Sequence, residues 1–130
     1  LEEFNPWFQW AVDYAKQLTE TDVDEAILEA KNVRAILDDI FREVDVILTP
    51  SALGEAPKDL KGIPKNNFNN LWTLMYVPCL NLPLFLGPND LPVGLQIIGP
   101  KNEDQNLLKS AHSIDLRIKE YFNKFPITLN

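Results

Sequence analysis

The chain has 130 residues, of which 45% are hydrophobic, enough for one compact domain and too few for two ordinary ones. Twelve Lys and Arg stand against nineteen Asp and Glu, a formal net charge of −7. A nucleic-acid partner is therefore not expected, since binding phosphate requires a basic footprint. Cys79 is the single cysteine, so no internal disulfide can form, and a reducing compartment, the cytoplasm, is expected. No apolar run approaches the roughly 18 residues of a membrane span, and no basic leader precedes an apolar stretch. Beginning at Leu1 rather than Met suits an internal fragment, a processed product or a tag remnant at Leu1-Glu2.

Pro6 to Leu18 is predicted to be a short helix, with Pro6 in the first turn and Trp7, Trp10, Ala11, Tyr14 and Leu18 at helical spacing. A longer helix follows. Thr21 and Asp22 are candidate caps, with Glu25 three residues after Asp22, the capping-box interval. Val23, Ala26, Ile27, Ala30, Val33, Leu37, Ile40 and Phe41 form an apolar stripe opposite Asp24, Glu25, Lys31, Asn32, Asp39 and Arg42, so the helix is expected to pack on a core. Val44 to Thr49 is a β-branched run stopped by Pro50, predicted to be a strand covered on both faces.

Ser51 to Asn67, broken by Gly54, Pro57, Gly62 and Pro64, is predicted to be a long loop. Phe68 to Met75 suits a short helix. Cys79 to Leu86, interrupted by Pro83, suits an extended segment. Gly87-Pro88-Asn89-Asp90 signals a turn, and Leu91 to Ile98 a strand, so these two runs should form a hairpin. Asp104 can cap a last helix with the apolar face Leu107, Leu108, Ala111, Ile114, Ile118, Tyr121 and Phe122. The fold class is thus α/β, with about three strands and three to four helices. So small a sheet, with such hydrophobic strands, reads as the edge of something larger.

Self-contained chemistry is not visible in the sequence. None of the five glycines forms a phosphate-cradling pattern, and one His with one Cys cannot supply a zinc site. Cys79 reads as a buried thiol and His112 as a helix-flank residue rather than a thiolate–imidazolium pair. Ser110 and Ser113 lie on the final helix, where no strained nucleophile can be presented. Ser51 follows a strand end, a place where ligands gather in open sheets, but has no histidine near it in sequence.

Four segments nevertheless share a recognisable order. Phe41-Arg42-Glu43-Val44-Asp45-Val46-Ile47-Leu48-Thr49-Pro50-Ser51 resembles the "F..vDvlltPt" segment of the amidase signature family. Trp72-Thr73 followed by Val77-Pro78-Cys79-Leu80-Asn81-Leu82-Pro83 is similar to its "W...g.Pa.s.P" stretch, although Tyr76 stands where that pattern commonly has glycine. Leu91-Pro92-Val93-Gly94-Leu95-Gln96-Ile97-Ile98-Gly99 resembles its "lPvGlQliG" strand, the sharpest of the matches. Asp104 to Leu116 falls where the family has its closing helix. Gly94 and Gly99 suggest close backbone approach or a bulge, and Gln96 puts an amide in an apolar strand, where it needs a partner.

The resemblance implies that residues 1–130 form one domain, the C-terminal part of a larger amidase, contributing strands and covering helices to a mixed sheet. It implies a Ser–cis-Ser–Lys mechanism that hydrolyses a carboxamide to an acid plus ammonia or an amine, with no metal or organic cofactor. No segment here matches the family's catalytic elements, so no catalytic residue is carried over and the chain alone is expected to be inactive. Its expected partners are the missing N-terminal catalytic portion and a small-molecule amide, with self-association through an open sheet edge. Ser51, Trp72, Thr73 and Tyr76 are the residues expected to line the substrate pocket. The competing reading is a non-catalytic interaction module with the same architecture.

Overall fold

A computed structural model of the chain describes residues 6–57 and 68–124. The expected loop from Ser51 to Asn67 is thus described only as far as Pro57, and its remainder lies outside these residues. The chain falls into two compact units, Leu1–Ala35 and Ile36–Asn130.

The first unit contains helix α1 (Pro6–Ala15) and most of helix α2 (Glu20–Ile40). The cap of α2 lies earlier than the expected Thr21 or Asp22. The Asp22 carboxylate accepts from the Thr19 backbone N–H at 2.7 Å, and the Thr19 hydroxyl oxygen accepts from the Asp22 N–H at 3.2 Å. Thr19 therefore caps the helix, and Asp22 closes a reciprocal box with it. The bond that the Thr19 hydroxyl donates, and then its backbone N–H, hold the Asp22 carboxyl below its ordinary 3.8. On α1, Trp10 and Tyr14 stack at 5.6 Å, and Asp13 accepts from Gln9 and Lys16 at 2.9 Å each.

Among the described residues, much of the apolar stripe of α2, expected to be buried, is exposed. Val23, Ile27 and Ile40 are more than two-fifths exposed, and Leu37 is the one buried residue of the helix. Periodicity reports which face a helix can bury. It does not report whether the covering surface belongs to the same chain.

The second unit is built on a three-stranded antiparallel sheet in the order β1-β3-β2. Its strands are β1 (Ile47–Pro50), β2 (Cys79–Leu86) and β3 (Pro92–Ile98), with helix α3 (Phe68–Met75) preceding β2 and helix α4 (Asp104–Lys124) following β3. Among the described residues, three strands and four helices match the expected α/β class. The first strand starts later than expected and includes Pro50, which is paired with Leu95. Such a proline suits an edge strand, and β1 is one. The two-sided cover expected for it is not found, because Leu48 and Pro50 are exposed while Ile47 and Thr49 are half-buried. Around Pro83 the ladder slips between Leu82 and Phe85, a bulge where the imide nitrogen cannot donate.

Pleating gives the sheet two unlike faces. Leu80 and Leu82 of β2 and Ile97 of β3 share one face, and Leu107, Ala111 and Ile114 of α4 pack onto it. Val46 joins this cluster. Leu108 and Tyr121, expected on the buried side of α4, are exposed, because the contact stripe is narrower than the apolar pattern. The carbonyl of Glu103, one residue before the expected Asp104, accepts the first intrahelical bond from Leu107 N–H at 2.9 Å.

Replacing Ile97, which has 0% exposure, with Ala should cost about 2–5 kcal/mol of unfolding free energy. Leu108→Ala should stay within about 0.5 kcal/mol of the parent, both read by denaturant titration. The Thr19–Asp22 box should be intact above pH 3.8 and lost as acid titrates the depressed Asp22 carboxyl below that value. Faster amide exchange at Thr19, confined to that acid range, checks it. Unchanged exchange there would refute the box.

Candidate functional site

The opposite face of the sheet carries the candidate site. Thr49 pairs with Gln96 across β1 and β3, and Asn81 pairs with Gln96 across β2 and β3. Alternation therefore puts Thr49, Gln96 and Asn81 in one cross-strand row on the face away from α4. Cys79 and Gly94 share that face, as does Ile98, which is fully buried.

Gln96 is 6% exposed, and the partners its position requires are both present. The Thr49 hydroxyl donates to its Oε1 at 3.2 Å, while its Nε2 donates to Asn69 Oδ1 at 2.6 Å. Asn69 comes from the first turn of α3, so the carboxamide ties that helix to the centre of the sheet. Sequence reasoning foresees the need for partners. It does not identify Asn69, because nothing in the pattern fixes the phase of α3 over β3.

Beside this tie is an open hollow of about 340 Å³ lined by Asn69, Trp72, Thr73, Val77, Cys79 and Gln96. Trp72 and Thr73, two of the four expected pocket residues, are therefore brought together there. Thr73 donates its hydroxyl to the Asn69 carbonyl at 3.0 Å. Ser51 lies elsewhere on the sheet, beyond the end of β1, where its backbone N–H and hydroxyl both donate to the Gly94 carbonyl at 3.4 and 3.1 Å. A Cβ on Gly94 would overlap the Asn81 carboxamide and the Ser51 hydroxyl. The glycine thus leaves room for both polar groups against the strand, the close approach anticipated for it.

Tyr76 is not among the lining residues of the hollow. It is exposed at a left-handed φ of 59°, with Lys101 Nζ 5.7 Å from its ring centre. That backbone is one glycine adopts at little cost.

Cys79 is exposed rather than buried, since it opens edge strand β2 on the face α4 does not cover. Partial burial pushes its thiol up, so it stays protonated near neutral pH. His112 is on α4, which packs on the other face of the sheet, so the two do not form a pair. Among the described residues no cluster of His, Cys, Asp or Glu could hold a metal, and no helix is long and apolar enough to cross a membrane. The hollow is thus lined by amides, a hydroxyl, a thiol and apolar groups, none of them charged at neutral pH.

A family model described as Amidase matches residues 3–108. A glutamyl-tRNA(Gln) amidotransferase subunit of Rhizorhabdus wittichii is 35% identical over 105 residues, which are 72% of this chain and 21% of that protein. Its mitochondrial counterpart in Aedes aegypti is 30% identical over 115 residues, 78% of this chain and 23% of that protein. A solved structure, "Crystal structure of amidase", aligns with a TM-score of 0.69 and 29% identity, covering 89% of this chain and 29% of the other. The chain spans less than a quarter of the length of the curated relatives it matches.

Gln96→Leu should cost about 1–3 kcal/mol by leaving Asn69 Oδ1 and the Thr49 hydroxyl without their shared partner. In a double-mutant cycle with Asn69→Ala, the two losses should fall short of additivity by about 0.5 kcal/mol or more. Strict additivity in urea unfolding would show that the 2.6 Å contact carries no coupling.

Proposed function

Because the chain belongs to the amidase family, we propose that it forms the C-terminal, sheet-building part of an enzyme that cleaves carboxamides, with the catalytic serines and lysine supplied by a preceding portion. The observation that carries this reading is the division of labour between the sheet faces. One is sealed by α4 through Ile97, Leu107 and Ala111. Beside the other, Asn69, Gln96, Thr73 and Trp72 line an open, uncharged hollow.

A neutral carboxamide needs both hydrogen-bond donors and acceptors and no counter-charge. Side-chain amides and hydroxyls offer both, and desolvating them beside a neutral ligand is less costly than desolvating an ion. Trp72 supplies a broad apolar surface for the rest of the substrate. Ser51, placed over Gly94, and Tyr76 are assigned to substrate contacts outside this hollow. In the reaction, an activated serine of the preceding portion attacks the amide carbon. The acyl ester of that serine forms as the C–N bond breaks, and the leaving nitrogen takes up the proton released by the serine hydroxyl and departs as ammonia or an amine. Water then hydrolyses the ester, releasing the acid and restoring the serine. The relatives are named as parts of an amidotransferase, which favours transfer of ammonia to a second acceptor as the variant form of the same chemistry. The compartment expected for the enzyme is the cytoplasm.

The test is ammonia release from glutamine and from benzamide by the full-length protein that includes this segment. Turnover is expected there and none from the 130-residue chain alone. Trp72→Ala should raise KM about ten-fold, equivalent to about 1.4 kcal/mol of lost binding, with a smaller change in kcat. A soluble, folded full-length protein that releases no ammonia would point instead to a non-catalytic interaction module.

A further inference from the structure

The segment after β1 is held at two points. Ser51 is fastened to the Gly94 carbonyl of β3. Four residues on, the Glu55 carboxylate reaches the turn between β2 and β3. Its Oε1 accepts from the backbone N–H groups of Asn89 at 2.7 Å and Leu91 at 3.2 Å, and its Oε2 accepts from Asn89 Nδ2 at 2.6 Å. Three donors thus converge on one side chain that is remote in sequence from all of them.

The turn is shaped to receive this carboxylate. Gly87 donates its N–H to the Leu91 carbonyl at 3.0 Å, and Asp90 adopts φ 58°, closing the turn so that the Asn89 and Leu91 amides stay free of the ladder. A Cβ at Gly87 would overlap Cγ, Cδ and Oε1 of Glu55. An ionised acceptor of several N–H groups makes stronger hydrogen bonds than a neutral one. Between the two fastenings, Leu53 is exposed and Gly54 takes φ 94°, so the short bridge relies on its ends.

We infer that Glu55 is a positioning residue, a carboxylate latch that holds the segment after β1 against the β2–β3 turn and thereby keeps Ser51 over Gly94 beside Asn81. Its bearing on turnover rests on the reading of this sheet face as substrate-facing. The latch itself does not.

Amide hydrogen exchange in the chain, followed residue by residue, tests the latch, and benzamide turnover by the full-length enzyme tests its consequence. Glu55→Ala should speed exchange about ten-fold or more at Asn89, Leu91 and Ser51. Glu55→Gln, which keeps an acceptor at Oε1, should restore most of the protection. Gly87→Ala, which retains Glu55 but fills its seat, should speed Ser51 exchange as Glu55→Ala does, and serves if the latter fails to fold. In the full-length enzyme Glu55→Ala should raise KM for benzamide several-fold with kcat changed less, and Glu55→Gln should recover it. Ser51 protection unchanged in both Glu55→Ala and Gly87→Ala would overturn the inference. So would loosened exchange with an unaltered KM in an enzyme that does turn over benzamide. If no variant and no parent protein releases ammonia, the amidase reading fails while Ser51 exchange still decides the latch.

Discussion

A carboxamide in the middle of a sheet is costly unless all its bonding capacity is met. Gln96 sits at the centre of the central strand, and the bonds that satisfy it reach outward in both directions, to Thr49 on β1 and to Asn69 on α3. Because the two partners lie on different elements, meeting the need of one side chain also sets where α3 lies over the sheet. The position of Trp72 and Thr73, three and four residues further along that helix, follows from it. An apolar residue in place of Gln96 would fill the strand equally well but would leave α3 without this polar tie.

Elements whose ends are marked by backbone chemistry are legible from residues alone. Pro83 marks the interruption of β2, and the slip between Leu82 and Phe85 is where the missing N–H makes itself felt. Gly87 to Asp90 signals the hairpin turn, and Phe68–Met75 forms the short helix expected there. Sequence reasoning errs where the signal is ambiguous in phase or in partner. Thr19 and Asp22 form the capping box three residues ahead of the Asp22–Glu25 pair with the same spacing. Only the start of the helical hydrogen bonds separates them. Pro50 has the look of a stop, yet an edge strand can carry proline where its missing N–H faces outward. The stripe of α2 has the look of a packed face, but amphipathicity records the potential for burial and not the cover itself.

The site is legible in a different manner. Trp72 and Thr73 stand out through likeness to a family pattern, and they border the same hollow. Asn69, Asn81 and Glu55 do not stand out. Each is an ordinary polar residue in sequence, and each acquires its place only through a contact with a residue distant along the chain. Asn69 meets Gln96, Asn81 and Ser51 both lie against Gly94, and Glu55 meets the β2–β3 turn. The signal that could find two of these contacts is the glycines. Gly94 and Gly87 are positions where a missing Cβ makes room for another side chain, and asking which polar group enters that room leads to Asn81, Ser51 and Glu55.

These contacts explain why one small sheet can be firm on one side and chemically open on the other. On the α4 face, stability comes from apolar area removed from water, which is indifferent to direction, so Val46, Leu80, Leu82 and Ile114 need only fill space around Ile97 and Leu107. On the other face the same strands hold polar groups, which must be placed by directional bonds to be of use. Thr49 orients Gln96, Gln96 orients Asn69, and the Gly94 carbonyl takes both donors of Ser51. The apolar side thus gives the strands their rigidity, and that rigidity is what makes hydrogen bonds near 3 Å on the polar side selective of geometry. A chain with net charge −7 keeps charge out of this hollow, whose lining is amides, a hydroxyl, a thiol and apolar side chains.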